Sequence, residues 1–329
     1  MTATNYGTAT ETAIANVVAA CERYGARSIV ALAGVPGTGK SFVASIAAQR
    51  FCGEPLLVRE IQFHQSFSYE EFIEGLRVDD RSAVNAVPGV FLEWNERALD
   101  DPERRYVLLI EEFTRANLAG VLGELMTYLE HRDRPFVSVY SRRPIYIAKN
   151  LTILATYNPT DRTAIELDSA LIRRLRVVRF MPSGDQLGEM LGDKLLPHVI
   201  DKLGAIFKSC AERFGRDYEY LMPFGHGVFA DVQAEGPDLH LLWKERIEHL
   251  LRRPLVEPHP FTDAIEELFP WRNPAYVVPA PPLPAAAVPA PSVPAGAAIA
   301  PSAPAADAPL PPAPAADGAE APVQAADGQ

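Results

Sequence analysis

The chain has 329 residues, a formal net charge of −11 at pH 7 and three cysteines. A protein that holds DNA by itself normally shows a basic surface, and none is visible in this acidic total. The cysteines are scattered without close pairing, which is typical of reduced residues in a cytoplasm. The start of the chain is polar without a signal-peptide pattern, and no apolar run approaches the roughly 20 residues of a membrane helix. We therefore expect a cytoplasmic protein with no membrane segment.

A glycine-rich segment lies between a predicted strand and a predicted helix. Apolar residues at helical spacing indicate a first helix over Thr12 to Tyr24, and the run from Ser28 to Ala33 is typical of a buried parallel strand. Phe42 to Phe51 has the pattern of a helix. The eight residues between them fill every position of a phosphate-binding loop. They are Gly34, Val35, Pro36, Gly37, Thr38, Gly39, Lys40 and Ser41.

This loop predicts that the chain binds a nucleoside triphosphate. Its glycines let the backbone turn N–H groups toward phosphate oxygens, and the following helix N-terminus adds about half a positive charge. Lys40 is placed to reach the β- and γ-phosphates, and the Ser41 hydroxyl to join the shell of a Mg²⁺ ion. We therefore expect ATP or GTP as substrate and Mg²⁺ as cofactor.

The segments that follow alternate between strand and helix patterns. A strand pattern precedes the first of the next two helices, and a polar loop that contains glycine precedes the second. The predicted elements are a strand within Leu56 to Phe63, a short helix over Tyr69 to Leu76, a loop over Asp79 to Gly89, a helix over Val90 to Leu99, and one helix over Asn117 to Glu130 with Leu118, Leu122, Leu125, Met126 and Leu129 in the core.

Two carboxylates follow a continuous apolar run of strand length. The run extends from Tyr106 to Ile110, and Glu111 and Glu112 come directly after it. Hydrolysis at a phosphate-binding loop needs one carboxylate near the metal and another that orients or deprotonates water. We assign Glu111 to the Mg²⁺ shell and Glu112 to water activation.

Polar residues also follow the next strand and the next helix. Leu151 to Tyr157 is predicted to be a buried strand, and Asn158 after it is predicted to hydrogen-bond the γ-phosphate or the attacking water. A predicted helix then ends at Arg173 and Arg174. An arginine that neutralises the transferring phosphoryl group can come from a neighbouring subunit. Either arginine is a candidate for this role.

The alternation predicts an α/β fold, in which a parallel sheet is flanked by helices, followed by a helical lid and a disordered tail. The tail is Ala- and Pro-rich, with 15 of the 30 prolines between Pro274 and Pro322 and no Lys or Arg after Arg272. Proline lacks a backbone donor and fixes φ, which favours an extended chain. The predicted parts are a nucleotide-binding domain over 1–181, a lid over 182–272 and a tail over 273–329.

Several separated segments resemble the McrB-like branch of the AAA+ superfamily, which comprises the motor subunits of methylation-dependent restriction systems and is related to the MoxR-type proteins. The last of them is a looser match than the others. They are Phe63–Arg77, Glu111–Asn117, Gly123–Met126, Thr156–Arg162, Leu167–Arg174 and Gly225–Phe229. The chain departs from the family pattern at four positions, with Glu111 in place of Asp, Thr114 in place of Asn, Tyr157 in place of Met and Ile172 in place of the first of three arginines.

The resemblance implies a homo-oligomeric ring, usually a hexamer, with nucleotide bound between subunits. It also implies a partner subunit that carries a nuclease or stimulates hydrolysis, so that DNA is reached through the partner. We find neither a DNA-reading domain nor a nuclease pattern, and expect a bare motor. The best-known motors of this branch use GTP, whereas most AAA+ proteins use ATP, so the base stays open.

Three functions are compatible with these patterns. The leading one is an NTP-driven motor that works with partners on DNA, in restriction or phage defence. The second is a MoxR-type chaperone-like ATPase that remodels a protein client, which suits an acidic chain without a DNA domain. The third is a nucleotide-binding module without hydrolysis. The combination of Lys40, Glu112, Asn158 and an arginine argues against the third.

Overall fold

The computed structural model of the chain describes residues 6–80, 82–161, 169–191, 197–213, 223–230, 238–251 and 262–277. Most of the predicted tail lies outside these ranges, as do Arg162, Leu167 and Asp168 of the family-like segments.

The α-helices are α1 (Thr8–Tyr24), α2 (Lys40–Cys52), α3 (Tyr69–Phe72), α4 (Val90–Asp100), α5 (Leu118–Leu122), α6 (Leu125–Tyr128), α7 (Ser169–Arg174), α8 (Gly184–Leu191), α9 (Pro197–Arg213), α10 (Leu239–Leu242), α11 (Glu248–Leu251) and α12 (Thr262–Glu267). The strands are β1 (Ile29–Gly34), β2 (Val58–Gln62), β3 (Glu74–Val78), β4 (Val84–Pro88), β5 (Tyr106–Glu111), β6 (Phe136–Val137), β7 (Pro144–Ile145), β8 (Leu151–Tyr157) and β9 (Leu175–Phe180).

A five-stranded sheet forms the centre of the fold, in the order β2-β5-β8-β1-β9. Every neighbouring pair in it is parallel. All residues of β1 and β8 are buried, as expected for continuous apolar strands covered on both faces. One hydrophobic cluster includes α4 and α5 residues, and a second includes α1 and α2 residues. The predicted α/β fold, a parallel sheet flanked by helices, is confirmed.

The strand order places three predicted site segments side by side. Strands β5, β8 and β1 are consecutive neighbours in the sheet. Because they are parallel, their carboxyl ends lie at one edge, where ligands of open α/β sheets bind. The phosphate-binding loop, the Glu111–Glu112 pair and Asn158 follow these three ends.

The helix predicted over Tyr69 to Leu76 is confirmed only from Tyr69 to Phe72, and the loop predicted over Asp79 to Gly89 contains a strand. The helix ends at Phe72, and Glu74–Val78 pairs antiparallel with Val84–Pro88. Tertiary contacts override the helical pattern here. The Glu74 carboxylate accepts hydrogen bonds from the backbone N–H groups of Tyr140 and Ser141, at 2.7 and 2.9 Å. These bonds fix the chain in the extended direction just after the short helix.

The single helix predicted over Asn117 to Glu130 is divided into α5 and α6. Gly123 between them has φ of +48°, and a Cβ there would lie 2.9 Å from the Tyr69 ring. The helix therefore ends at a backbone conformation that favours glycine, and the Tyr69 ring leaves no room for a side chain there. The predicted core face is nevertheless confirmed, since Leu118, Leu122, Leu125 and Leu129 are buried and Met126 packs against them.

Residues after 182 build a separate hydrophobic cluster. It contains Leu187 of α8, Phe207 of α9 and the aromatic residues Phe229, Trp243 and Phe269. The helical lid and its limits at 182 and 272 stay predictions.

Two further features concern the cysteines and the character of the helices. Cys21 and Cys52 are free thiols, and burial raises the pKa of each to about 12. Within the described ranges, no helix combines the length and apolar character that crossing a membrane requires.

Candidate functional site

The phosphate-binding loop has the backbone shape that its glycines permit. Gly37 and Gly39 both have φ of +78°, in the left-handed region that other residues rarely adopt. Gly39 is the N-cap residue of α2, so the loop leads directly into a helix N-terminus. The Thr38 hydroxyl donates to the Val35 carbonyl at 2.9 Å and holds the loop closed. The loop therefore presents backbone N–H groups at a site suited to an anion.

Lys40 is half-buried beside this loop and two carboxylates. Its Nζ donates to the Val35 carbonyl at 3.0 Å. Desolvation lowers the pKa of Lys40 to about 8, while the charges of Glu112 and Glu111 oppose this shift. The lysine is thus a desolvated cation, which a phosphate group would stabilise.

Glu111 lies at the end of β5, against two hydroxyl groups. Ser41 Oγ donates to Glu111 Oε2 at 2.8 Å, and the Thr156 hydroxyl donates to the same oxygen. The other oxygen, Oε1, is buried and has no hydrogen-bond partner among the described residues. A buried carboxylate oxygen without a partner is costly unless a ligand or water satisfies it.

These residues fit a Mg²⁺ ion. Mg²⁺ takes oxygen ligands, and in nucleotide sites it commonly uses one or two carboxylates together with waters and substrate phosphates. Ser41 and Glu111 offer a hydroxyl and a carboxylate at 2.8 Å from each other. No cluster of three or more His, Cys, Asp or Glu side chains suited to a metal occurs in the described part of the chain. The described residues therefore offer part of a Mg²⁺ shell and no all-protein cage.

Glu112 is held by an ion pair. Its backbone has φ of +55°, uncommon for a residue with a side chain, and this turn directs the next residues into a short 3₁₀ helix. Glu112 Oε2 lies 3.1 Å from Arg115 Nε, and Arg115 Nη2 lies 3.7 Å from Asp161 Oδ2. Arg115 thus connects the end of β5 with the loop after β8.

Asn158 belongs to the same pocket. Its Oδ1 accepts hydrogen bonds from the backbone N–H and the hydroxyl of Thr160, at 3.1 and 2.8 Å. This fixes the side chain in an Asx-type turn directly after β8. The cavity at this edge of the sheet has a volume of about 460 Å³. It is lined by Pro36, Gly37, Lys40, Ser41, Glu112, Arg115, Thr156, Tyr157, Asn158 and Asp161.

Arg173 and Arg174 do not line this cavity. Both approach Glu130 Oε2, with N–O distances of 3.2 Å for Arg173 and 3.6 Å for Arg174. The Arg173 side chain is 68% exposed, whereas that of Arg174 is 11% exposed. The structure therefore brings most of the predicted site residues together and places the arginine pair elsewhere.

Three polar residues of the cavity were absent from the sequence-based candidates. Arg115 lies inside the family-like Glu111–Asn117 segment, and Asp161 lies inside Thr156–Arg162. Position within these segments was a signal for both residues. Thr156 also lies inside Thr156–Arg162, and only the geometry shows that its hydroxyl contacts Glu111.

The comparisons with known proteins agree with this architecture. The pattern of the AAA domain (dynein-related subfamily) matches residues 29–175, from β1 to the start of β9. The type IV methyl-directed restriction enzyme EcoKMcrB subunit of Escherichia coli (strain K12) is 30% identical over 74% of this chain and 56% of its own length. Together, these two matches support a McrB-like AAA+ protein.

A second relative also comes from a restriction system. The type II restriction enzyme BsuMI component YdiS of Bacillus subtilis (strain 168) is 25% identical over 43% of this chain and 53% of its own length. The McrB-like chain thus spans about half the length of the curated relatives it matches. The AAA pattern over residues 29–175 contains the phosphate-binding loop and every residue that lines its cavity.

Proposed function

We propose that this McrB-like protein hydrolyses a nucleoside triphosphate, ATP or GTP, in the cavity at the carboxyl edge of its sheet. The observation that carries the proposal is the convergence of three strand ends in one cavity of about 460 Å³. The first contributes Lys40 and Ser41, the second Glu112 and the third Asn158. Each kind of group that hydrolysis of a phosphate anhydride requires within one subunit is present.

Each residue at the cavity has its own role in the proposed hydrolysis. The backbone of the loop from Gly34 to Ser41 and the Lys40 ammonium bind the phosphates. Ser41 and Glu111 hold Mg²⁺, which when bound neutralises charge on the phosphate oxygens. Glu112 accepts a proton from the attacking water or orients it. Asn158 positions the γ-phosphate or that water.

An arginine from a neighbouring subunit completes the site. Arg173 is exposed and lies outside the cavity of its own chain, which favours a role in trans for Arg173, with the neighbouring Arg174 as the alternative. Such a role needs a homo-oligomeric ring, and we propose a hexamer with nucleotide between subunits. An arginine that stabilises the transferring phosphoryl group accelerates the step by about 10³- to 10⁵-fold.

The relatives support a restriction or defence setting. Both are components of restriction enzymes, one type IV and one type II. We propose that this motor acts cytoplasmically with a partner subunit, such as a nuclease-bearing protein. Its acidic charge of −11 suits contact with DNA through that partner. Hydrolysis would then be coupled to translocation or remodelling.

A MoxR-like role on a protein client is the second candidate, and one surface favours it. The β3–β4 hairpin presents Leu76, Val78 and Val84 on one face, at 54, 68 and 61% exposure. Apolar side chains on an exposed sheet face suit contact with a protein better than contact with a phosphate backbone.

Phosphate release by the purified protein tests both candidates. Turnover is measured with ATP and with GTP, each with and without DNA, beside the Glu112→Gln variant. Loss of the general base is expected to lower kcat by about 10²- to 10⁴-fold while binding is retained. Stimulation by DNA favours the restriction role, and turnover that is indifferent to DNA favours a protein client. Turnover by Glu112→Gln equal to that of the unmodified protein would refute the assigned role.

A further inference from the structure

One carboxylate outside the cavity is shared by both candidate arginines. Glu130 lies just after α6, and its Oε2 accepts a hydrogen bond from Arg173 Nη2 at 3.2 Å. Arg174 Nε lies 3.6 Å from the same oxygen. The proposed hydrolysis assigns a role to an arginine of this pair but none to the carboxylate that joins the two.

Glu130 extends from a turn that is fixed to the central sheet. Leu129, directly before it, is fully buried. Arg132, two residues after it, is also buried and donates hydrogen bonds to three backbone carbonyl groups. These are the carbonyls of Gly25, Ala148 and Leu151, at 3.0, 2.7 and 2.6 Å. Strand β8 begins at the last of these residues and ends beside Asn158. The turn is therefore tied to the strand that leads into the cavity.

The helix that carries the arginines has an inner and an outer face. Leu171 is buried in the hydrophobic cluster of α4 and α5, and the Arg174 side chain is only 11% exposed. Ile172 and Arg173 lie on the outer face, at 55 and 68% exposure. Exposed apolar and arginine side chains side by side suit contact with another subunit.

The ion pair leaves most donors of Arg173 available. A guanidinium group has five N–H donors in a planar fork. Among the described residues, Nη2 is the one guanidinium nitrogen of Arg173 that donates a hydrogen bond. The donors on Nε and Nη1 therefore remain for phosphate oxygens. Glu130 orients this arginine and does not block it.

The pair is better suited to orienting a side chain than to stabilising the fold. The side chains of Glu130 and Arg173 are 30 and 68% exposed. Solvent and salt screen such a pair, and the entropy of two long side chains opposes it, so its contribution to stability is small. An arginine that is oriented before it meets its target loses less freedom when it binds.

We propose that Glu130 is a positioning residue for hydrolysis, whose carboxylate holds the Arg173 guanidinium at the subunit surface for the phosphoryl group bound by the neighbouring subunit. The proposal rests on the proposed hydrolysis and on an arginine that acts in trans. It adds a residue that touches neither the nucleotide nor the metal and acts through the arginine.

Two substitutions at Glu130 test this role. Glu130→Gln keeps the size of the side chain and removes its charge, whereas Glu130→Asp keeps the charge with a shorter reach. Misplacing a group by about 1 Å can lower a rate by about 10²-fold. We expect Glu130→Gln to lower kcat by about 10- to 100-fold with KM nearly unchanged, and Glu130→Asp to recover part of the loss.

The same substitution in an arginine-free background separates positioning from a structural role. In the double variant Arg173→Ala/Arg174→Ala the carboxylate has no guanidinium to hold, so adding Glu130→Gln should cause no further decrease in kcat. Glu22→Gln is the matched control, because it also removes a carboxylate from an exposed ion pair, with Arg105 at 3.5 Å. Phosphate release over a series of nucleotide concentrations measures kcat and KM, and thermal unfolding shows whether each variant is folded.

The outcomes separate this inference from the proposed function. A lower kcat in Glu130→Gln, partial recovery in Glu130→Asp and no further decrease without the arginines support the positioning role. Normal or raised kcat in Glu130→Gln, beside an inactive double arginine variant, overturns it and leaves the proposed hydrolysis intact. A further decrease in the arginine-free background, or loss of the folded state, also overturns it, since a structural effect would then explain the result. Absence of turnover by the unmodified protein overturns the proposed function together with this inference.

Discussion

The two sides of the phosphate-binding loop differ in their chemistry. On the sheet side, Lys40 faces Glu111 and Glu112, and Arg115 continues the row of charges to Asp161. On the lid side, the loop meets two glycine backbones and the buried ring of His226. The sheet side is an open cavity of charged and polar groups, whereas the lid side is a close, neutral contact.

This difference suggests that the two sides of the loop have different roles. Charged groups held in place around a transferring phosphoryl group stabilise the charge that develops on it. A close neutral contact is suited to sensing the position of the loop, because any displacement must break hydrogen bonds between backbones. We therefore expect substitutions on the sheet side to change turnover and substitutions on the lid side to change affinity and stability.

The largest decrease in kcat is expected from two arginines that lie on neither the sheet side nor the lid side of the loop. Arg173→Ala combined with Arg174→Ala should lower kcat by about 10³-fold or more, because the transferring phosphoryl group loses its arginine. The Kd for the triphosphate should change little. Steady-state turnover and calorimetry measure the two quantities.

Arg105→Ala is the matched control for that variant. Arg105 is exposed and lies 3.5 Å from Glu22, in an ion pair away from the cavity. Its substitution should leave kcat unchanged. Normal turnover in the double arginine variant would show that the subunit needs no arginine from this helix.

On the lid side, His226 predicts a pH-dependent stability. Its pKa is about 4 when folded and about 6.5 when unfolded. The unfolded chain therefore binds the extra proton below pH 6.5, and the stability of the folded protein falls as the pH decreases toward 4. Between pH 7 and pH 5 this residue should lower the free energy of unfolding by about 2 kcal/mol. Urea unfolding at the two pH values measures the change.

The His226→Phe variant should lose this component of the pH dependence. The difference between the unmodified protein and the variant isolates the residue from other titrating groups. An identical decrease in both proteins would mean that His226 is not buried as a neutral ring.

The smallest change in kcat is expected from a substitution on the sheet side of the loop, at Arg115. Its ion pair holds Glu112 at 3.1 Å and competes with the use of that carboxylate as a base. Exposed ion pairs contribute roughly 0.2 to 1 kcal/mol, so Arg115→Ala should raise kcat by a factor of about 1.4 to 5. Phosphate release at saturating nucleotide measures it. A large decrease in kcat would instead assign Arg115 a direct role in hydrolysis.

The sheet side could be predicted from the sequence because its signals are local. Each of β1, β5 and β8 is an apolar run, and each site residue follows one of them directly. Parallel strands bring such ends together without any further information. For this reason the sequence located the loop, both glutamates and Asn158 at one edge.

The remaining features depend on contacts between distant parts of the chain. The β3–β4 hairpin was missed because Glu74 is fixed by backbone groups at Tyr140 and Ser141. The break at Gly123 depends on the Tyr69 ring. His226 is separated from the loop by most of the chain, and the loose family match around it gave no indication of its contact with Gly39.

Complementation between two inactive variants tests the central claim most directly, namely that one subunit contributes the loop and Glu112 while its neighbour contributes the arginine. Glu112→Gln and the double variant Arg173→Ala/Arg174→Ala are mixed in equal amounts before assembly, and phosphate release is measured. In a randomly mixed ring, about a quarter of the interfaces contain both intact halves, so turnover should recover to about a quarter of that of the unmodified protein. A mixture as inactive as either variant alone would contradict a site shared between subunits.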